Sequence, residues 1–240
     1  MDTAAEGVLR RLPLKGTRGT IARRMRESAA TKPQVTLHAR ANLDPLLALL
    51  EERRPAWEAA AGVPVGLNAS LSRVVALAAA RDPRLNGHVE ESAVTLYRCV
   101  HLGVAVALEE GLIVPVLKDA QNLGVPSVAR TLADLTERAQ ARRLTMDDVT
   151  GGTLTITNLG MYGVESFNPL VNPPQIAIVG VAALRQETVV RNNEVQIARL
   201  LPLSLTFDHA AVDGAQAAEW LRLLVSMIED ARESLKEDDA

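Results

Sequence analysis

Residues 203–214 read LSLTFDHAAVDG, and most of the fold can be worked outward from this stretch. Leu203, Leu205 and Phe207 alternate with Ser204, Thr206 and Asp208, the period-two pattern of a strand with one apolar face. Gly214 permits a tight turn, and from about Ala215 into the 220s the spacing becomes helical. Upstream, Thr153, Thr155 and Thr157 alternate with Leu154 and Ile156, a second strand whose hydroxyl face ends at Asn158-Leu159-Gly160. Residues 175–181 form a continuous apolar strand after the Asn172-Pro173-Pro174 break, and Asn192-Asn193 suits a hairpin turn because Asn tolerates positive φ. Helical spacing covers residues 43–54, 70–81 and Val128 to Ala139, the last ending near Arg142-Arg143. Residues 101–117 predict two strands joined at Glu109-Glu110-Gly111, with Pro115 demoting the second to an edge or bulge. Thr145 with Asp148 three residues later predicts a short capped turn. Helices and strands are interspersed, so the class is α/β or α+β with a mixed sheet.

The chain has 240 residues, 48% hydrophobic and 23% charged, which is a globular balance. One core can grow to roughly 250 residues, so a single compact domain is expected. Two Phe, two Tyr and two Trp offer few platforms for stacking bases, and a net charge of −3 argues against a nucleic-acid surface on the scale of the chain. Cys99 stands alone and four scattered His residues lack ligand spacing, so neither an internal disulfide nor a metal site is expected. The first residues carry no apolar signal-peptide core and no run approaches 18 apolar residues, so no membrane partner is expected and the anticipated setting is cytoplasmic. Residues 8–26 hold seven cations and no acid, with Ile21 and Met25 four apart, as in an amphipathic helix on a partner surface, near an anionic ligand or simply in solvent. Residues 229–240 are mostly acidic, which opposes a helix C-terminal dipole and predicts fraying. The expected organisation is a flexible N-terminus over 1–9, one domain over 10–236 and an acidic tail over 237–240.

His209 is the strongest candidate for chemistry. If alternation continued past Phe207, its imidazole would share the apolar face, partly desolvated, and a neutral imidazole in a cleft can act as a general base. Asp213 could fix the loop by pairing with an Arg or by capping the final helix. Spacing alone equally fits a hydrogen-bonded core histidine. Thr157 could donate a hydrogen bond to a developing oxyanion or satisfy a neighbouring backbone group. His38, His88 and His101 lack comparable surroundings. Neither a Gly-x-Ser-x-Gly elbow nor a Gly-rich phosphate loop is present.

Two segments together point further. GGTLTITNLGMYG (151–163), followed by Asn172-Pro173-Pro174-Gln175, resembles the catalytic domain of the dihydrolipoamide acyltransferases, the inner core of the 2-oxo acid dehydrogenase complexes. LSLTFDHAAVDGA resembles the C-terminal His-x-x-x-Asp-Gly signature of that family. RGTIARRMRES, LNGHVEE, HLGVAVALEEGLIVPVLKDA and LTMDDVTGGTLTITNLG extend the resemblance over residues 10–236.

The resemblance implies a chloramphenicol-acetyltransferase-like fold, a mixed-sheet sandwich with flanking helices, that forms a homotrimer. Trimers in the family often build cubic or dodecahedral cores. It implies transfer of an acyl group between dihydrolipoamide and coenzyme A in channels between subunits, without a covalent acyl-enzyme. His209 of one subunit then matches the base, Thr157 of the next the oxyanion donor, and Asp213 an organiser of the His loop. Asn158 matches a position lining the coenzyme A channel, and Ala182 and Leu184 match others through backbone contacts. The implied partners are a lipoyl carrier and the other complex components, with no metal.

Two departures stand out. Most members compared carry Arg after the catalytic His, where Ala210 stands here. No Lys sits in a lipoylation setting and no lipoyl or subunit-binding module is written, so the chain reads as an excised core or as a standalone protein served by a lipoyl carrier in trans. Two other readings stay open, a non-catalytic core or partner-binding subunit of the same fold and a small-molecule acetyltransferase. The latter group usually has a second His where this chain has Asp208.

Overall fold

The computed structural model describes residues 8–108 and 111–239. The elements follow in the order α1 (Gly16–Thr31), β1 (Gln34–Asn42), α2 (Asp44–Ala61), α3 (Leu67–Arg81), β2 (Gly87–Val89), β3 (Val94–Leu96), β4 (Leu102–Val104), β5 (Val106–Leu108), β6 (Gly111–Ile113) and β7 (Val116–Leu117). The second half adds α4 (Val125–Gln140), β8 (Leu154–Asn158), β9 (Ala177–Val181), β10 (Arg185–Arg191), β11 (Glu194–Asp208), α5 (Gly214–Glu229) and α6 (Ala231–Ser234).

The main sheet runs β1-β11-β9-β8-β4-β7, with β10 also paired to β11. Strand β8 is parallel to both β9 and β4, while the other pairs are antiparallel, so the sheet is mixed as expected. Its two faces differ in chemistry. Leu37, Ala39, Leu203, Leu205, Phe207, Val179, Leu154 and Ile156 belong to the hydrophobic core together with Trp220 and Leu224 of α5 and the apolar sides of α2 and α3. The opposite face carries Thr155, Thr157, Gly180, Ser204, Thr206 and His38. On its β8–β9 side the excursion between those strands brings Phe167 and Pro169 against Gly180, where an added Cβ would lie 3.0 Å from the Phe167 ring.

Several elements differ from the sequence expectation for physical reasons. Helix α2 does not stop near Arg54 but continues through Pro55 to Ala61 and closes on Gly62 at φ 71°. The bond lost at Pro55 is offset by burial of Trp57 and Ala61 on the core side. Residues 101–117 form four short strands rather than two. Pro115 cannot donate, although its carbonyl accepts from Val104 N–H at 2.9 Å, and β5 and β6 peel away as their own ladder. Glu109 and Glu110, expected at that turn, lie outside the described residues, as do residues 1–7 and Ala240. The Asn192-Asn193 turn has φ of 50° and 61°, the geometry anticipated for a tight hairpin. In the Thr145 turn, the Asp148 carboxylate accepts from Thr145 N–H at 2.7 Å and from its hydroxyl at 2.8 Å.

The acidic tail is not frayed at Asp238. Its buried carboxylate accepts from Arg73 Nη2 at 2.9 Å and from the Val125 N–H at 3.2 Å. That acid meets the positive N-terminal end of α4, where a negative charge is favourable, so the packed domain extends past residue 236.

Candidate active site

The chain leaves β11 at Asp208, one residue before the candidate base. The Asp208 N–H donates to Ile176 O at 2.9 Å, and the Asp208 carbonyl accepts from Ala211 N–H at 3.0 Å and Val212 N–H at 3.2 Å. The strand ends at Asp208, yet the His209 ring keeps to the side of Phe207, as the alternation predicted. It is exposed on the single chain, and its ring centroid lies 5.8 Å from that of Phe207. The desolvation expected from the strand pattern is thus not supplied by this chain alone. The backbone at His209 is nevertheless fixed, because its N–H donates to Pro33 O at 2.9 Å.

Asp213 takes the capping role rather than an Arg partner. It is the N-cap of α5 in a reciprocal capping box, its own N–H donating to Gln216 Oε1 at 3.2 Å. The salt bridge of this loop lies one turn earlier. Asp208 Oδ2 pairs with Lys32 Nζ at 3.0 Å, with side chains 1% and 5% exposed. Asp208 Oδ1 accepts from the Ala210 N–H at 3.0 Å. The sequence reading missed Lys32, although its rarity among 22 Arg was a signal: a lone Lys beside Pro33 at a helix-to-strand junction.

The three hydroxyls of the threonine face have separate fates. Thr153 donates to Asn86 Oδ1 at 2.5 Å and Thr155 to Gln175 Oε1 at 2.6 Å, both buried. Thr157 is half-buried at the end of β8, and its hydroxyl has no hydrogen-bond partner among the described residues. An unspent donor at a strand end is available to a ligand. The side chain of Asn158 is occupied: its Oδ1 accepts from Gly160 N–H at 2.7 Å and its Nδ2 donates to Asn68 Oδ1 at 2.7 Å. Ala182 is buried, its N–H bonded to Pro202 O at 3.0 Å. Its carbonyl faces Gly160, where a Cβ would come within 2.7 Å. Leu184 is exposed. The fold therefore gathers Thr157, Asn158, Ala182 and Leu184 at one end of β8 and β9.

His209 is not there. Thr157 pairs with Gly180, and Gly180 pairs with Ser204, so Thr157 lies two strands across from a residue five positions before His209. At about 4.8 Å per strand and about 3.3 Å per residue, the two Cα atoms stand about 19 Å apart, at opposite ends of the sheet. No rotamer bridges that gap, so within one chain His209 and Thr157 cannot touch the same small group.

The row through Thr157, Gly180 and Ser204 continues to His38, whose Nδ1 lies 3.1 Å from Ser204 Oγ. His38 lines a trough of about 560 Å³ with Arg40, Glu165, Arg185 and Glu187, on the sheet face that carries Thr157. Sequence spacing gave no reason to single out His38, because its partner comes from a strand more than 160 residues away.

Residues 6–236 match the family of 2-oxoacid dehydrogenases acyltransferase (catalytic domain). The chain belongs to that family. A Bacillus subtilis relative, the dihydrolipoyllysine-residue acetyltransferase component of the acetoin cleaving system, is 37% identical over 219 residues, covering 91% of this chain and 55% of that protein. The chain spans about half the length of the curated relatives it matches. Azotobacter vinelandii dihydrolipoamide acetyltransferase, studied crystallographically and enzymatically for the role of a serine, a histidine and an asparagine in its catalytic mechanism, superposes with a TM-score of 0.91 at 30% identity, covering 98% of this chain and 97% of that one. The cubic core of a pyruvate dehydrogenase multienzyme complex gives 0.91 at 29% identity over the same shares. Chloramphenicol acetyltransferase superposes with a TM-score of 0.55 at 11% identity, covering 91% and 97% of the two chains, a likeness of fold alone. The acyltransferase family and the fold expected from the two sequence segments are therefore both found.

Proposed function

We propose that this catalytic domain moves an acyl group between dihydrolipoamide and coenzyme A, at sites shared by neighbouring copies of the chain. The observation that carries this reading is the strand register, which places His209 and Thr157, each without a side-chain hydrogen-bond partner among the described residues, at opposite ends of one sheet, about 19 Å apart at ideal strand spacing. A head-to-tail contact that brings the His209 end of one copy against the Thr157 end of the next uses both groups, and such a contact forms a ring when the rotation between copies closes. A homotrimer is the ring proposed here, supported by the likeness to acetyltransferase cores, and the likeness to a cubic core favours assembly of trimers into a larger particle.

In the transfer step the thiol sulfur attacks the thioester carbonyl carbon while His209 accepts the thiol proton. The C–O double bond opens to an oxyanion that receives the Thr157 hydroxyl, a hydrogen bond worth about 3 kcal/mol to the barrier in comparable sites. Collapse re-forms the carbonyl and breaks the original C–S bond, and the departing thiolate takes the proton back from the imidazolium. Thiol and thioester stand on both sides, so the step is nearly balanced in energy. Asp213 holds the start of α5, and with it the His209 turn, through its capping box. Asn158, Ala182 and Leu184 form the end of the channel assigned to coenzyme A, with Asn158 fixing the loop rather than reaching for the ligand. The lipoyl group would come from a domain outside this sequence or from a carrier in trans.

The test is transfer of acetyl, succinyl and isobutyryl groups between coenzyme A and dihydrolipoamide, with His209→Ala as control. Transfer of at least one acyl group that is lost in the variant supports the reading. Full turnover in the variant, or none in the parent with any acyl group, refutes it.

A further inference from the structure

We propose that Lys32 is a positioning residue for His209 and acts through Asp208; this rests on His209 being the base. The ion pair is buried, with Lys32 Nζ and Asp208 Oδ2 3.0 Å apart. A buried pair is weak evidence for a stabilising role, since apolar replacements of similar volume are often neutral or better. Its place in the chain gives the reason to keep it. Both carboxylate oxygens are assigned: Oδ2 to Lys32, and Oδ1 to the N–H of Ala210, the residue directly after His209. The residue after Lys32 holds the other side, because Pro33 O accepts from His209 N–H at 2.9 Å. Lys32-Pro33 therefore grips the turn before and at the imidazole. Lys32 itself is anchored at the end of α1 by its N–H to Ser28 O at 3.2 Å.

An exposed ring such as that of His209 gains little orientation from packing on its own chain, so its aim depends on the backbone that carries it. Without the ammonium, Asp208 keeps a buried charge with one partner missing, and its carboxylate can rotate away from the Ala210 amide. The turn loosens while the rest of the sheet is untouched.

Two readouts test this on the full chain. In Lys32→Met, kcat should fall about 10- to 100-fold, the loss associated with misplacing a catalytic group by about 1 Å, while KM for both thiol substrates stays within about twofold. Amide exchange of the peptide spanning 208–213 should accelerate. Lys32→Arg, which keeps a cation in reach of Asp208, should restore both readouts in large part. If Lys32→Met does not fold, the variant Lys32→Met with Asp208→Asn carries no uncompensated charge and should show the same two changes. Parent-like kcat and exchange in the folded variant overturn the proposal, as does faster exchange with unchanged kcat. If the parent protein transfers no acyl group, the acyl-transfer reading fails, and the exchange measurement still decides whether Lys32 holds the turn.

Discussion

Thr155 and Thr157 sit two residues apart on one face of β8, yet replacing each with the isosteric Val should give opposite signatures. The Thr155 hydroxyl is buried and donates to Gln175 Oε1 at 2.6 Å. Thr155→Val leaves that buried acceptor without its donor, a cost of about 1–3 kcal/mol. For a domain of this size about 2 kcal/mol corresponds to a midpoint shift of roughly 6 °C. The Thr157 hydroxyl has no partner among the described residues, so Thr157→Val breaks no internal bond and should change stability by less than about 0.5 kcal/mol. Its loss is kinetic. An oxyanion donor contributes about 2.7–4 kcal/mol, so kcat should fall about 10²–10³-fold with KM nearly unchanged. Denaturant melts and initial rates of acyl transfer on the same preparations separate the two effects. A Thr157→Val protein that is as destabilised as Thr155→Val, or that retains parent kcat, would refute the assignment of an unspent hydroxyl to the oxyanion.

Two further outcomes follow from ion pairs that hold the fold. The Arg138 guanidinium and the Thr145 N–H keep the Asp148 carboxyl well below the usual carboxylate range. A depressed folded-state value means that the pair stabilises above the unfolded value of about 3.9 and loses that contribution as pH falls through and below it. The stability gap between the parent and Asp148→Asn should therefore be constant from pH 7 to about 5 and narrow toward pH 3 in urea melts; a gap that widens on acidification would contradict the assignment. Asp238→Ala should cost about 3–5 kcal/mol, because it strands the buried Arg73 guanidinium, and a denaturation midpoint equal to that of the parent would show that the C-terminal segment is not docked.

The sequence was most readable where one chain segment carries its own pattern. Alternation at Thr153–Thr157 and Leu203–Phe207, the Asn192-Asn193 turn and the Asp213 N-cap depend on local periodicity and on backbone preferences of neighbouring residues. Failures came where the deciding partner lies far away. Trp57 and Ala61 find core burial that carries α2 through Pro55. Asp238 finds Arg73, 165 residues distant, and the N-terminus of α4. Lys32 finds Asp208 across 176 residues. The motif residues were visible, but their distance was not. The resemblance implied that His-x-x-x-Asp-Gly and Thr-x-Thr-Asn-x-Gly act from neighbouring subunits, and the strand register supplies the distance, with the two motifs at opposite ends of the sheet in one chain.

That arrangement has a direct test by mixing. Thr157→Val and His209→Ala chains are each expected to be nearly inactive, because every site in either assembly lacks one group. After dissociation and random reassembly in equal amounts, a shared site is intact when the copy supplying the base is Thr157→Val and the copy supplying the hydroxyl is His209→Ala, so about a quarter of the sites, and about a quarter of the parent rate, should return. Mixed assemblies as inactive as the separate variants would contradict a site built from two copies of the chain.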